Sequence, residues 1–282
     1  MRIGIVLSNS PANSETFFIS KIKGLKKAGN DIILFANGTN NNEICKTIFH
    51  PSTKHNIFFM TLVIVFSYIR LIIIRPFVFF RFLSLEKKDG VPIIRRWKNL
   101  YLNNHILTMK LDWLHFGFIT LTINRQNVAR AIKAKMGVSL RGYDICIYPL
   151  THQSCYDSVW DKIDKVHSIS NDLLKVAQEN GLSSKTPQYL IKPAIDMTFF
   201  NTNQKRWEKT DTINFLTVSR LHWKKGIEHT LHALAILNKK GITFNYTIIG
   251  DGEELERLIY AANEMGIEKH VRIFRQVPHK KT

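Results

Sequence analysis

Ser219 to Gly226 reads SRLHWKKG, placing an arginine, a histidine and two lysines directly after an apolar run. A second apolar run further on ends in the turn Gly250-Asp251-Gly252. Both stretches lie between a strand-like segment and a helix-like one, so in an open parallel sheet they emerge side by side at its carboxyl edge, where such folds bind ligands. Glycine lets backbone N–H groups come close to a ligand, and helix N-termini add partial positive charge. Arg220 and Lys225 supply two full charges toward the same place. The expected occupant is a diphosphate. A solvated basic loop beside an ordinary turn is the plainer reading. Against it stands the order strand, Arg, Lys-Gly, helix, strand, Gly-Asp-Gly, amphipathic helix.

The elements that must hold these residues are legible in outline. Asn214–Ser219, Thr243–Ile249 and Val271–Val277 read as strands, with helices over Ile227–Asn238 and Glu253–Met265. The second helix aligns Leu255, Leu258, Ile259, Ala262 and Met265 on one stripe, with Glu253 and Glu254 at its positive end. At the other end of the chain, strand Arg2–Ser8, a helix from Ser14 and strand Asp31–Ala36 form a βαβ unit. Lys110–Phe118 and Tyr143–Pro149 resemble strand ends around a helical stretch, Ile123–Met136. Val166–Ser170 reads as another strand, followed by a helix over Asn171–Gly181. Polar, aperiodic residues 201–211 mark a linker. The expected domains are residues 1–205 and 206–282.

Residues 56–83 stand apart. Their longest uncharged run falls short of the roughly 20 residues a bilayer span needs. Arg70, Arg75 and Arg81 then recur among Ile and Phe. The segment is a helix lying in a membrane interface, a buried helical hairpin whose arginines reach solvent or, least in keeping with its length, a true span.

Composition sets the outer limits. A chain of 282 residues with 45% hydrophobic and 22% charged residues is globular and long enough for two domains. The formal charge of +18 implies an anionic partner: nucleic acid, acidic lipid or a phosphorylated ligand. No stacking platform or motif supports nucleic acid. Three scattered cysteines, without a CxxC pair, read as reduced thiols in a cytoplasmic protein. The apolar N-terminal run is too short for a signal peptide. The first loop, Ser8-Asn9-Ser10-Pro11, lacks the glycine fingerprint of dinucleotide enzymes.

Taken with their order, these stretches resemble the family 4 glycosyltransferases, which have the GT-B fold. VSRLHWKKGIEHTLHALAIL, YTIIGDGEELERL and VRIFRQVPHKK look like the opening of that family's nucleotide-sugar domain. PANSETFFISKIKGLKKAGNDIILFA and LDWLHFGF … VSLRGYDICIYP are similar, more loosely, to its polysaccharide-building members. The resemblance implies an α/β protein of two Rossmann-type domains facing across a cleft. It also implies retaining transfer of a sugar from a UDP- or GDP-sugar to a lipid-linked or polysaccharide acceptor, at the inner face of the cell membrane. Arg220, Lys225, Gly250 and Gly252 would hold the donor diphosphate. On the acceptor side the loop Ser10–Ser14, His115, Arg141 and Asp144 become cleft candidates, with His115 and its neighbours Trp113 and Phe116 equally readable as core. No Asp-x-Asp pair occurs, so neither a metal nor another cofactor is expected. The second domain supplies only about three of the expected five or six strands. The family's acidic donor-site pair would lie downstream of Lys281. A fragment, half of a split enzyme and a binding remnant are the readings this leaves, truncation being favoured.

Overall fold

Short apolar runs alternating with helical ones dictate parallel strands joined by helical crossovers, and in the computed structural model every described strand pair is parallel. The structure describes residues 1–11, 16–38, 44–51, 57–193 and 211–275. The chain divides into two compact units, Met1–Phe199 and Phe200–Thr282.

The first unit is built on strands β1 (Arg2–Asn9), β2 (Asp31–Asn37), β3 (Lys46–Phe49), β4 (Trp113–Phe116), β5 (Lys135–Leu140), β6 (Lys165–Ser168) and β7 (Gln188–Leu190). They form one parallel sheet in the order β3-β2-β1-β4-β5-β6-β7. Helix α1 (Thr16–Lys27) covers one face of β1 and β2 through Phe18 and Ile22, spaced four apart and both buried. Helices α2 (Ile57–Ile74), α3 (Pro76–Lys88), α4 (Ile93–Leu107), α5 (Val128–Ile132), α6 (Tyr148–Thr151), α7 (Asp157–Trp160) and α8 (Asn171–Glu179) follow in chain order. Most of the unit's apolar core lies against the opposite face of the sheet, under Leu114, Phe116, Met136, Val138 and Val166. Side chains alternate along each strand, so Trp113, His115, Gly137, Ser139, Lys165 and His167 come to the α1 side, beyond the edge of α1 itself.

Two segments depart from expectation. The helix expected over Ile123–Met136 is only α5, and Lys135–Leu140 is a strand instead. There Met136, Val138 and Leu140 alternate with Gly137 and Ser139, a period of two that overrides the helical reading. Tyr143–Pro149, expected as a strand, is a π-helical turn (Tyr143–Ile147) running into α6. Helix α4 and strand β3 had no counterpart in the sequence reading.

The segment 56–83 is a bent helix pair, α2 and α3, meeting at 115°. Pro76 ends α2, because it has no N–H to donate and clashes with the preceding turn. No single described helix is long and apolar enough to cross a membrane. Phe58, Phe66, Ile73, Phe77 and Phe80 are exposed, as are Ile93 and Ile94 on α4. Two of the three arginines make backbone contacts that the sequence reading did not foresee. Arg75 donates to the carbonyls of Leu107 and Met109, and Arg81 to that of Ala131 at 3.0 Å, so both tie the pair to neighbouring elements. Arg70 is exposed.

The second unit has β8 (Ile213–Val218), β9 (Phe244–Ile249) and β10 (Val271–Phe274), parallel in the order β10-β9-β8. Helices α9 (Ile227–Lys239) and α10 (Leu255–Glu264) both pack on one face, burying Leu231, Leu234, Leu258 and Ala262 against Phe244, Tyr246 and Ile248. On the other face Leu216, Val218 and Phe274 are exposed.

Candidate functional site

In the second unit the two turns meet, backbone to backbone. Ser219 N–H donates to Ile249 O at 3.0 Å, Leu221 N–H to Asp251 O at 2.9 Å, and Glu254 N–H to Leu221 O at 3.2 Å. The side chains add a bridge, His222 Nε2 lying 3.4 Å from Glu253 Oε1. This contact explains the glycines. A Cβ on Gly250 would stand 1.8 Å from Ser219 O, and one on Gly252 would stand 2.2 Å from Leu221 O. Both glycines therefore admit the neighbouring loop. Their amides are also engaged within the protein, Gly250 N–H on Phe274 O and Gly252 N–H on Asp251 Oδ1, each at 2.9 Å. The two glycines thus have a packing role between the loops. Among the described residues, donors near this turn include the first amides of α9, which have no helical partner, and the exposed Arg220 and Lys225. A cavity of about 210 Å³ beside this helix start is lined by His222, Gly226, Glu228, His229 and Arg257 among others; Arg220 and Lys225 are not in its walls.

In the first unit a larger cavity, about 500 Å³, lies on the open side of β4 to β7. His115 and Arg141 line it; Asp144 does not. His115 is 8% exposed, and its Nε2 lies 2.8 Å from Lys21 Nζ and 2.9 Å from Ser139 Oγ. Ser139 Oγ lies 2.9 Å from His167 Nδ1, and His167 Nε2 lies 3.0 Å from Ile191 O. A carbonyl only accepts, so His167 Nε2 carries the proton and its Nδ1 accepts from the Ser139 hydroxyl. That leaves the Lys21–His115 contact, where one proton decides which group donates. Burial, helped by the charge of Arg141, lowers the Lys21 ammonium to about 8. Burial, then the charges of Lys21, His167 and Arg141, hold His115 well below the ordinary histidine range, so its ring is neutral. His167 is lowered too, chiefly by burial. Gly137 makes the arrangement possible: a Cβ there would stand 2.9 Å from both the His115 and the Trp113 rings.

Arg141 lies with its guanidinium 3.9 Å from the Phe17 ring centre and 4.5 Å from that of Phe18. Asp144 is held by backbone amides. Its carboxylate accepts from the backbone N–H of Arg141 at 3.0 Å, Gly142 at 2.8 Å and Ile119 at 3.3 Å, and it is buried. It therefore shapes the turn that starts the π-helical stretch. Burial raises its pKa against the pull of those amides. Ser10 follows β1 at the sheet's carboxyl edge, with its hydroxyl buried and without a partner among the described residues. Ser14 lies outside the described residues. Lys21, Ser139 and His167 were missed in the sequence because the helix, strand and strand that carry them meet only in the fold. Among the described residues no group of three or more His, Cys, Asp or Glu could hold a metal ion.

Residues 199–282 match the family model described as glycosyl transferases group 1. No curated protein matches the chain. Among solved structures, the apo form of the lipopolysaccharide outer core galactosyltransferase WaaB is similar over 100% of this chain and 70% of its own, at 12% identity and a TM-score of 0.59. HepE from Anabaena, in complex with UDP-glucose, is similar over 98% of this chain and 69% of its own, at 11% identity and a TM-score of 0.60. A glycosyltransferase from Rickettsia africae ESF-5 is similar over 98% and 68%, at 16% identity and a TM-score of 0.60. Two Rossmann-like units with parallel sheets, and these likenesses across nearly the whole chain, give the protein the GT-B fold of glycosyltransferases.

Proposed function

We propose that the chain is a glycosyltransferase of the family 4 type, taking a sugar from a UDP- or GDP-linked donor with retention and passing it to a lipid-linked or polysaccharide acceptor. The observation that carries this is the paired turn of the second unit. A basic loop and a glycine turn are bonded together at the carboxyl edge of a parallel sheet, inside the segment that matches a glycosyltransferase family model. HepE, of similar fold, holds UDP-glucose. Arg220 and Lys225 would face the donor diphosphate, fixed positive charges of the kind that stabilise a leaving pyrophosphate best. The α9 amides would add to them. No metal enters this reading. On the acceptor side His115 and Arg141 are the residues in reach of a ligand, both lining the first unit's cavity. The exposed aromatic and aliphatic side chains of α2, α3 and α4 would rest on the cytoplasmic face of a membrane, alongside a net charge of +18.

The test is ligand protection. UDP or GDP at 100 times its dissociation constant should stabilise the folded protein by about 2.7 kcal/mol. Arg220→Ala with Lys225→Ala should abolish most of that shift while leaving the unliganded melting temperature unchanged. Absence of any shift with either nucleotide on a folded protein would overturn the reading. Protection without sugar transfer would favour a binding module.

A further inference from the structure

The cavity of the first unit carries more chemistry than the acceptor-side reading uses. Four of its lining residues are cationic, Lys21, Arg141, Lys165 and Lys192, and none of the fifteen is Asp or Glu. The rest of the wall is largely apolar or aromatic, including Phe17, Trp113, Ile169, Tyr189 and Ile191. Lys21 is the informative one. Its ammonium meets an uncharged ring nitrogen, His115 Nε2, and no carboxylate among the described residues lies within ion-pair distance of it. An ammonium has three N–H donors, so two remain. A charge taken out of water without a counter-charge is unfavourable, and the fold nevertheless keeps this one on an apolar wall.

We propose that this cavity binds a small molecule bearing an oxyanion, a carboxylate or a phosphate, on a flat apolar body. The oxyanion accepts from the two remaining N–H groups of Lys21 and faces the Arg141 guanidinium. The apolar body lies along Ile169, Tyr189 and Ile191. Lys165, whose Nζ lies 5.1 Å from the Tyr189 ring centre and 5.8 Å from that of Trp113, flanks the same space. A volume of about 500 Å³ falls within the usual range for small-ligand pockets, roughly 300–1,000 Å³. With Lys21 charged and donating, His115 Nε2 accepts. The groups facing Lys21 are His115 on β4, Ser139 on β5, His167 on β6 and Arg141 after β5; only Lys21 changes charge as pH passes 8. Binding therefore weakens above that pH. The inference concerns the first unit alone and holds whether or not the second takes a nucleotide.

The experiment is calorimetric titration of the full chain with phenyl phosphate, benzoate, inorganic phosphate and benzyl alcohol, at pH 7 and pH 9.5. At pH 7, phenyl phosphate or benzoate should bind at least tenfold more tightly than both inorganic phosphate and benzyl alcohol; the better of the two names the oxyanion. Lys21→Met should weaken that binding at least tenfold, and Lys175→Met, on the exposed side of α8, should leave it unchanged. The unaltered protein supplies a second reading that needs no variant, since its affinity should fall severalfold from pH 7 to pH 9.5. No binding of any probe would overturn the proposal, as it would if another part of a protein fills the cavity. So would equal binding by Lys21→Met, or equal loss in Lys175→Met.

Discussion

The two sheets present their chemistry in opposite ways. In the second unit a short stretch does it with backbone: two turns exchange amide and carbonyl bonds, and glycine is required because a neighbouring carbonyl occupies the space a Cβ would take. In the first unit the chemistry is in side chains brought from α1, β4, β5 and β6 into one hydrogen-bonded row. Backbone sites are specified by local order and by absence of side chains. Side-chain sites depend on register and crossover, which a linear pattern does not display.

That contrast can be broken or sharpened experimentally. The largest effect should come from Gly250→Ala. Its Cβ would meet a backbone oxygen at 1.8 Å, which no side-chain motion relieves. A loss of about 4 kcal/mol or more is expected, read as urea unfolding of the second unit with the first still protected from protease. Survival of the variant would show that the turns are separable.

Next comes acid. His50, His105, His115 and His167 are all held below their ordinary range, His50 to about 4 and His105 to about 2, with burial the main cause. The unfolded chain takes up those protons near 6.5, so their contribution is present above that pH and lost as pH falls from 6.5 toward 4. Asp144, whose pKa is raised, acts in the opposite direction at the acid end. Thermal melts across that interval should fall steadily in the first unit, by at least about 3 kcal/mol, the contribution of one such ring. A flat profile would mean the rings are more hydrated than their burial implies.

Gly137→Ala should cost less, about 1–3 kcal/mol, because the atoms in the way belong to the His115 and Trp113 rings, and rings can move. The informative readout is tryptophan fluorescence, which should shift as Trp113 is displaced. Smallest, and opposite in sign, is Lys21→Met. Burial depresses this lysine to about 8, while the unfolded chain keeps its proton to 10.5. The wild type should therefore gain stability as pH rises from 8 to 10.5. The variant should lack that rise and be more stable at pH 7 by about 1 kcal/mol, measured as melting temperature at pH 7 and pH 10.

What the sequence made legible follows the same division. Each strand and helix of the second unit was readable within a few residues, and so was the adjacency of Ser219–Gly226 to Gly250-Asp251-Gly252. Parallel order and glycine turns are written locally. The glycines' purpose was not, because the clash that demands them involves Ser219 O and Leu221 O, thirty-one residues back in the chain. In the first unit His115 and Arg141, singled out in the sequence, both line the cavity. Asp144 was singled out as part of the stretch Arg141–Asp144, and the three backbone amides its carboxylate accepts from were not legible in that pattern. The strand over Lys135–Leu140 was hidden because two of its residues, Gly137 and Ser139, weaken the apolar signal on the very side where the histidines need room.

The bond from Leu221 to Asp251, with the return bond from Glu254 to Leu221, has a mechanical consequence. The basic turn and the start of α10 are yoked, so neither shifts without dragging the other. Any molecule that grips Arg220 or Lys225 should slow amide exchange at residues 251–254 without touching them, making a remote turn report on occupancy nearby.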